Sequence, residues 1–288
     1  MEEAFSGLIG VDLGATNVRS ARIEDGSVAQ LESAPIRNTT EPQDLIDQLI
    51  QQLKSVVQSD TKSIGIGVPS VVDPVQGIVY DVQNIPSWKQ VPLASILSDR
   101  FSIPVFINND ANCFALGEKY FGAGRNVNSM VGLILGTGFG SGLILNGKLY
   151  SGAHCGAGEV GMLPYRDSIF EHYCSGQFFE RQYSQRGPEV YQKAQEGDLE
   201  ALRLFAEFGI HVGEGIKSVL YAYDPDLIVL GGSISSALHL FNSSMMEAIQ
   251  DFAYTNTIEN LHIEVSQVEN AGVLGAAALA LDATLTTS

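Results

Sequence analysis

MVGLILGTGFGSGLILNGKLY, residues 130–150, decides how the rest of the chain is read. An apolar run of strand length ends at Gly136-Thr137-Gly138, and a second apolar run follows. Asn146-Gly147, a tight hairpin dipeptide, closes it. The start of the chain has the same layout. LIGVDLGATNVRSARI, residues 8–23, is an apolar strand (8–12), a turn on Gly14, a second strand (18–23), and then the turn Glu24-Asp25-Gly26. Aligning Gly14 with Gly136 superimposes both strands and nearly superimposes the closing turns. Two unrelated hairpins give this layout; so does a duplicated unit whose halves each open with strand, glycine loop and strand.

The first hairpin carries a carboxylate, Asp12, in its apolar strand. Burying an unpaired carboxylate costs several kcal/mol or forces it to take up a proton. Two partners suit it: a turn amide, or the water shell of a Mg²⁺ ion at the mouth of a phosphate loop. Glycine at a strand-to-strand turn lets backbone N–H groups approach a phosphate, and the hydroxyls of Thr16 and Thr137 add donors. GxxxxGK[ST] is absent, and GTGFGSG runs from strand to strand rather than into a helix, so neither loop is a P-loop or a dinucleotide fingerprint.

Working outward, strands and helices alternate around a mixed sheet. Thr40 caps a helix carrying Leu45, Ile46, Leu49, Ile50, Leu53 and Val57 at helical spacing. SIGIGV (63–68) is a strand stopped by Pro69, 92–101 a short helix, PVFIN (104–108) a strand, and Ala111 to Phe121 a helix. After 150, a glycine-rich segment (151–161) precedes a long helical region from Pro188 to Ala222. The strands 226–232 and 262–268, a helix near 237–252 and a last helix at 272–281 complete the reading.

The 288 residues suffice for one large or two medium domains, with 45% hydrophobic content and 30 glycines. A net charge of −17 argues against nucleic acid as a partner, since no basic excess is available to displace phosphate counterions. It leaves nucleotides open, because amides, helix N-termini and a divalent cation hold a triphosphate without a basic surface. Three cysteines without CxxC spacing suggest a reducing compartment. With no signal-like start and no membrane span, the expectation is a cytoplasmic protein without a membrane partner.

Asn109-Asp110 falls where a strand meets a helix. Asp110 there reads either as a helix N-cap or as a general base placed to take a proton from a hydroxyl. His154, Cys155 and Glu159 lie among glycines without metal-ligand spacing; Glu159 suits sugar hydroxyls or a satisfied turn equally.

Taken together, these residues resemble the ROK sugar kinases. VDLGATNVR resembles that family's first phosphate loop, GVPSVVD (67–73) its GxPGxxD segment, and NNDANCFALGE (108–118) its NDxNxxALGE stretch. Residues 135–161 resemble the second phosphate loop with the GxxGxAGExGH sugar segment. DPDLIVLGGSIS (224–235) is similar to the adenosine motif, and NAGVLGAAALA (270–280) to the closing helix.

The resemblance implies a duplicated actin-like ATPase (ribonuclease H-like) α/β fold, with two lobes around a central cleft. Residues 1–110 with 273–288 would form the smaller lobe and 111–272 the larger. It implies Asp110 as the base, Asn109, Asp110, Glu159 and Glu180 as sugar ligands, and Asp12 as the Mg²⁺ holder through water. Gly14, Thr16, Asn17, Gly136, Thr137 and Gly138 would line the phosphates, and Gly231 and Gly232 the adenosine. The cofactors are then ATP and Mg²⁺, and a homodimer is expected from the family alone.

The chain departs from the family at its zinc motif. Met162 replaces the histidine of GExGH, and EHYCSGQFFE (171–180) has Glu171, Tyr173 and Phe178 where three cysteines belong. Such side chains do not make a zinc site, so no structural zinc is expected, with Tyr173, Phe178 and Phe179 packing in its place. The lost histidine also contacts sugar in the family, which bears on hexose preference.

The implied reaction is transfer of the ATP γ-phosphoryl group to a hexose, at the 6-hydroxyl of glucose or a close aldohexose. Allose, fructose and N-acylmannosamine are alternatives. So is a non-catalytic sugar-sensing regulator, though family repressors carry a helix-turn-helix ahead of this domain, whereas here the first strand begins at Leu8.

Overall fold

The computed structural model describes residues 2–14, 16–37, 41–82 and 85–286. Its elements begin with β1 (Leu8–Leu13), β2 (Asn17–Glu24), β3 (Ser27–Pro35), α1 (Pro42–Val56) and β4 (Ser63–Val68). Next come three short strands, β5 (Val72–Asp73), β6 (Ile78–Tyr80) and β7 (Gln90–Val91), then α2 (Leu93–Phe101), β8 (Val105–Asn109) and α3 (Asp110–Phe121). The second hairpin is β9 (Met130–Leu135), β10 (Phe139–Leu145) and β11 (Lys148–Leu149). It leads through β12 (Pro164–Tyr165) and β13 (Ser168–Ile169) to α4 (Glu171–Cys174), α5 (Gln177–Tyr183), α6 (Gly187–Gln195) and α7 (Leu199–Tyr223). The chain ends with β14 (Leu227–Gly231), α8 (Leu238–Ile249), α9 (Thr255–Asn260), β15 (His262–Val265) and α10 (Ala271–Thr286).

Two five-stranded sheets carry the architecture, in the orders β3-β2-β1-β4-β8 and β11-β10-β9-β14-β15. In the first, β2 and β3 run antiparallel, while β4 lies parallel to β1 and β8 parallel to β4. In the second, β11 is antiparallel to β10, and β14 is parallel to both β9 and β15. Each sheet is therefore three strands of meander followed by two strands added in parallel. This common order makes the resemblance of the two hairpins a property of whole halves, which is duplication.

The alternation of β1 explains its composition. Ile9, Val11 and Leu13 point to one face, fully buried in a core with Leu45, Leu49 and Leu53 of α1. Each such side chain contributes about 1.5–3 kcal/mol. Leu8, Gly10 and Asp12 point to the other face, toward α10. β4 repeats the scheme, with Ile64, Ile66 and Val68 in the α1 core and Gly65 against α10. Asp12 is thus an even-numbered residue at the end of a strand, clear of the aliphatic core.

Two compact units divide the chain: Met1–Asn128 with Gly142–Ala157 and Gln267–Ser288, and Ser129–Ser141 with Gly158–Ser266. The first is the larger. The sequence reading divided the chain at 110/111 and 272/273 instead, and took the first part as the smaller. The difference has a physical cause: α3 and α10 meet backbone to backbone, with an ideal Cβ at Gly275 only 1.6 Å from the Cys113 carbonyl oxygen. Helix α3 therefore belongs with the first unit.

Other elements differ from the reading as well. The helical region 188–222 is broken between α6 and α7, where Gly197 has φ +85° and the Asp198 side chain caps α7 by accepting the Ala201 N–H at 2.8 Å. Strand β15 stops at Val265 rather than 268. β3 and helices α4, α5 and α9 were not anticipated. Helix α1 begins at Pro42, after Glu41, and Thr40, read as its cap, lies outside the described residues. Among the described residues no helix is long and apolar enough to cross a membrane.

Candidate active site

In the first unit, the first glycine loop, Asp12 and Asp110 share one edge of the first sheet. Asp12 pairs with Gly67 on β4, and Gly67 pairs with Asn108 on β8. Asp12 and the Asn108–Asp110 turn therefore lie at the carboxyl ends of parallel strands, two strands apart, or roughly 10 Å. Ligands of open α/β sheets bind at this edge. Gly14 follows immediately, its N–H bonded to the Asn17 carbonyl at 3.0 Å, and Asn17 Nδ2 donates to Thr16 Oγ1 at 3.0 Å.

Burial raises the Asp12 carboxyl above the ordinary range, and Arg19, its partner across the β1–β2 ladder, pulls it back. An ideal Cβ on Gly272 would stand 3.6–3.9 Å from the Asp12 carboxyl atoms. The first turn of α10, with its partial positive charge, thus faces this carboxylate. Asp12 thus faces the first turn of α10 on one side and the charge of a cross-strand arginine on the other.

At the β8–α3 junction the cap is Asn109, whose Oδ1 accepts the Ala111 N–H at 2.8 Å. Asp110 is the first helical residue rather than the cap, because Asn109 already occupies the extended capping position. Asp110 Oδ1 accepts the same N–H at 2.9 Å. Beneath them lies a buried polar network that the sequence reading did not assign. Asn108 Oδ1 accepts from Asn109 N–H (2.8 Å), Asn112 Nδ2 (2.8 Å) and Cys155 Sγ (3.1 Å). Asn108 Nδ2 donates to Ser151 Oγ at 3.3 Å. Cys155 serves here as a thiol donor. Cys113, fully buried, has its thiol pushed up by burial and then by the negative charges of Asp110 and Asp12.

In the second unit the second glycine loop closes more tightly than the first: Gly136 N–H donates to the Gly138 carbonyl, two residues on, at 3.0 Å. Gly136 and Thr137 line a cavity of about 390 Å³. Its walls are apolar and come from α5, α6, α7 and the turn after β14: Phe179, Pro188, Tyr191, Phe205, Ile234 and Ala237. Gly231 ends β14, and Gly232 opens this turn from behind. Gly232 has φ +83°, and a Cβ there would meet the Leu135 carbonyl oxygen at 2.3 Å. The lining itself is Ser233, Ile234, Ser236 and Ala237.

Glu180 lines the same cavity, beside the glycine loop. Glu159 precedes the short 3-10 turn Val160–Met162. Its carboxyl is raised by burial first and by the Glu171 carboxylate second.

At the positions where the sequence reading expected the zinc-site cysteines, aromatic rings pack. Phe178 and Phe179 are buried, with ring centroids 5.8 and 5.5 Å from Phe208, and Phe178 and Tyr173 lie 5.4 and 5.0 Å from His211. Cys174 is buried and its thiol raised, which disfavours the thiolate a metal needs. Among the described residues no group of three or more His, Cys, Asp or Glu gathers to hold a metal ion.

His211 has its pKa lowered to about 4, by burial first and the Arg166 charge second. It is neutral when folded, whereas unfolded it titrates near 6.5. As the pH falls from about 6.5 toward 4, the unfolded chain gains a proton that the native state refuses, so stability falls across that window and levels off below it. We expect a loss on the order of 2 kcal/mol, and thermal melts between pH 7.5 and 4.5 should show a flatter dependence in His211→Phe.

Two equivalent sheets, each opened by a glycine-loop hairpin, define the actin-like class of ATPase folds. The chain belongs to the ROK family, whose sequence model matches residues 8–283. It is 28% identical to a glucokinase of Thermotoga maritima, over 94% of this chain and 96% of that one. It is also 28% identical to a xylose repressor of Caldicellulosiruptor bescii, covering 95% of this chain and 78% of the repressor. Among solved structures, a ROK hexokinase from Thermus thermophilus superimposes with a TM-score of 0.83 at 27% identity, over 98% and 99% of the two chains.

Proposed function

We propose that the protein is an ATP-dependent hexose kinase, transferring the γ-phosphoryl group to the 6-hydroxyl of glucose or a close aldohexose. The observation that carries the reading is the shared sheet edge of the first unit, where Asp12, the first glycine loop and Asp110 stand together at strand ends. Phosphoryl transfer asks the protein for positioning, charge neutralisation and a base, and little covalent chemistry.

In this reading Asn109 and Glu159 bind sugar hydroxyls, while Glu180, expected as a third sugar ligand, lines the cavity assigned below to adenosine. Asp110 accepts the proton of the attacking hydroxyl as its oxygen bonds to phosphorus and ADP leaves. Gly14, Thr16, Asn17, Gly136, Thr137 and Gly138 hold phosphate oxygens. The 390 Å³ cavity takes the adenosine against Phe179, Tyr191 and Ile234, with Gly231 and Gly232 shaping its turn.

Mg²⁺ fits Asp12, because the ion keeps most of its water and takes one or two carboxylates, and Gly272 leaves that carboxylate's face clear of side chain. When bound it would neutralise charge on the phosphates. The proposal includes a cytoplasmic protein with sugar and ATP as small-molecule partners, no nucleic-acid or membrane partner, and a homodimer.

Similarity to the repressor supports a second reading, a sugar-sensing regulator without catalysis. Another hexose (allose, fructose or an N-acylmannosamine) is the alternative acceptor. Incubation with Mg-ATP and each hexose, followed by phosphorus NMR of the product, tests the reading. A hexose 6-phosphate supports it, a phosphate at another position corrects the acceptor, and no phosphorylated sugar sinks it.

The cavity gives a separate prediction. Ser236 is exposed on its rim, so Ser236→Trp fills nucleotide space without disturbing the core. Crowding of about 1–3 kcal/mol should raise the ATP Kd about 5- to 100-fold. Calorimetric titration with Mg-ATP checks it, with sugar affinity unchanged.

A further inference from the structure

The turn from Ser151 to Ala157 closes on itself, with the Ala157 N–H donating to the Ser151 carbonyl at 3.1 Å. Two of its side chains reach the Asn108 amide beneath the proposed base. Ser151 Oγ accepts from Asn108 Nδ2 at 3.3 Å, and Cys155 Sγ donates to Asn108 Oδ1 at 3.1 Å. The backbone fixes the direction of the second bond. Asn108 Oδ1 also receives the Asn109 N–H at 2.8 Å, and an N–H can only donate, so this atom is the amide oxygen. The sulfur beside it must then supply the proton. Asn112 Nδ2 joins the same cluster, 2.8 Å from Asn108 Oδ1 and 3.7 Å from Cys155 Sγ.

We propose that Cys155 is a positioning residue for the Asp110 turn. Its thiol, with Ser151, turns the Asn108 amide so that the amide oxygen holds the Asn109 N–H where β8 passes into α3. Asn109 Oδ1 and Asp110 Oδ1 then share the Ala111 N–H. The inference rests on the kinase reading for its effect on turnover, though not for its geometry. Two features of the cluster are unfavourable to folding and argue for a purpose. Cys155 holds φ +57°, the left-handed region in which a β-carbon is strained and glycine is not. The buried Asn112 Oδ1 has no hydrogen-bond partner among the described residues, a state that native structures ordinarily avoid. Strain of this kind persists where the surroundings over-determine it, and it gathers at functional sites. A thiol suits the position because it donates a proton yet packs as a small apolar group, and Cys155 is buried within the aliphatic core.

The test compares wild type with Cys155→Ser, Cys155→Ala and Cys155→Gly. Serine keeps a donor toward Asn108 Oδ1, alanine keeps the strain without the donor, and glycine loses both. With the donor gone, kcat on the accepted hexose should fall about 3- to 10-fold, while the KM for ATP is unchanged. Cys155→Ser should recover most of that loss. Cys155→Gly should melt no lower than Cys155→Ala and still turn over as slowly, because relief of strain does not replace the donor. Hydrogen exchange at the Asn109 amide, read by NMR without ligands, should speed up in the alanine and glycine variants and not in Cys155→Ser. Should Cys155→Ala fail to fold, the glycine and serine variants carry the comparison. Turnover that simply follows melting temperature would overturn the proposal, as would Cys155→Gly turning over as fast as wild type or unchanged exchange at Asn109. Wild type that turns over no hexose would sink the kinase reading instead, and the exchange data would still decide the clamp.

Discussion

Asparagine in place of Asp110 is expected to lower kcat about 10²- to 10⁴-fold while the KM for ATP stays within a few-fold. The substitution is nearly isosteric, and its structural cost is small. The Ala111 N–H that Asp110 Oδ1 accepts is also held by Asn109 Oδ1 at 2.8 Å, and the new amide oxygen accepts it as well. The turn is fixed from beneath by Asn108, whose three acceptor contacts do not involve residue 110. What disappears is the capacity to take a proton. Steady-state rates beside a thermal melt check this, and an unchanged kcat would remove Asp110 from the mechanism.

The second large effect is on stability. Helix α10 meets the first sheet backbone to backbone at two glycines, Gly10 and Gly65. Ideal Cβ atoms at Gly10 and Gly65 would fall 2.0 and 1.7 Å from the carbonyl oxygens of Val273 and Ala276. Overpacking ordinarily costs 1–3 kcal/mol, and forcing apart two backbones belongs at the upper end, so Gly65→Ala should cost about 3 kcal/mol or more. That is a large share of a typical domain's 5–15 kcal/mol. Gly156, with nothing within 4 Å of its ideal Cβ, is the control, and Gly156→Ala should be close to neutral. Urea unfolding of the two variants compares them. Equal stabilities would mean that the contact between α10 and the sheet yields easily.

These contacts also show what a sequence discloses. The hairpins were legible because strand alternation, glycine turns and the Asn146-Gly147 dipeptide are local signals, and Asn146 and Gly147 do adopt φ of +53° and +76°. β3 was missed although its residues alternate between exposed and half-buried, because SVAQLESAP has few large apolar side chains to mark a face. The break before α7 was legible in retrospect, in Gly197 and the capping Asp198. Helices α4 and α5 span only four and seven residues, too few to show a helical period.

At the site, Asp12 and Asp110 could be singled out as carboxylates in unexpected company. The Asn108–Asn112–Cys155–Ser151 network could not, because it joins residues about forty positions apart that meet only when the 151–155 turn packs under β8. Nor could the cavity walls, whose Phe179, Tyr191 and Phe205 read individually as ordinary core residues.

The most direct measurement is ADP release with Mg-ATP across a panel of hexoses, wild type beside Asp110→Asn. The account predicts release that depends on one aldohexose and collapses in the variant. Tight sugar binding with no sugar-dependent release by wild type would contradict it and leave the regulator reading in its place.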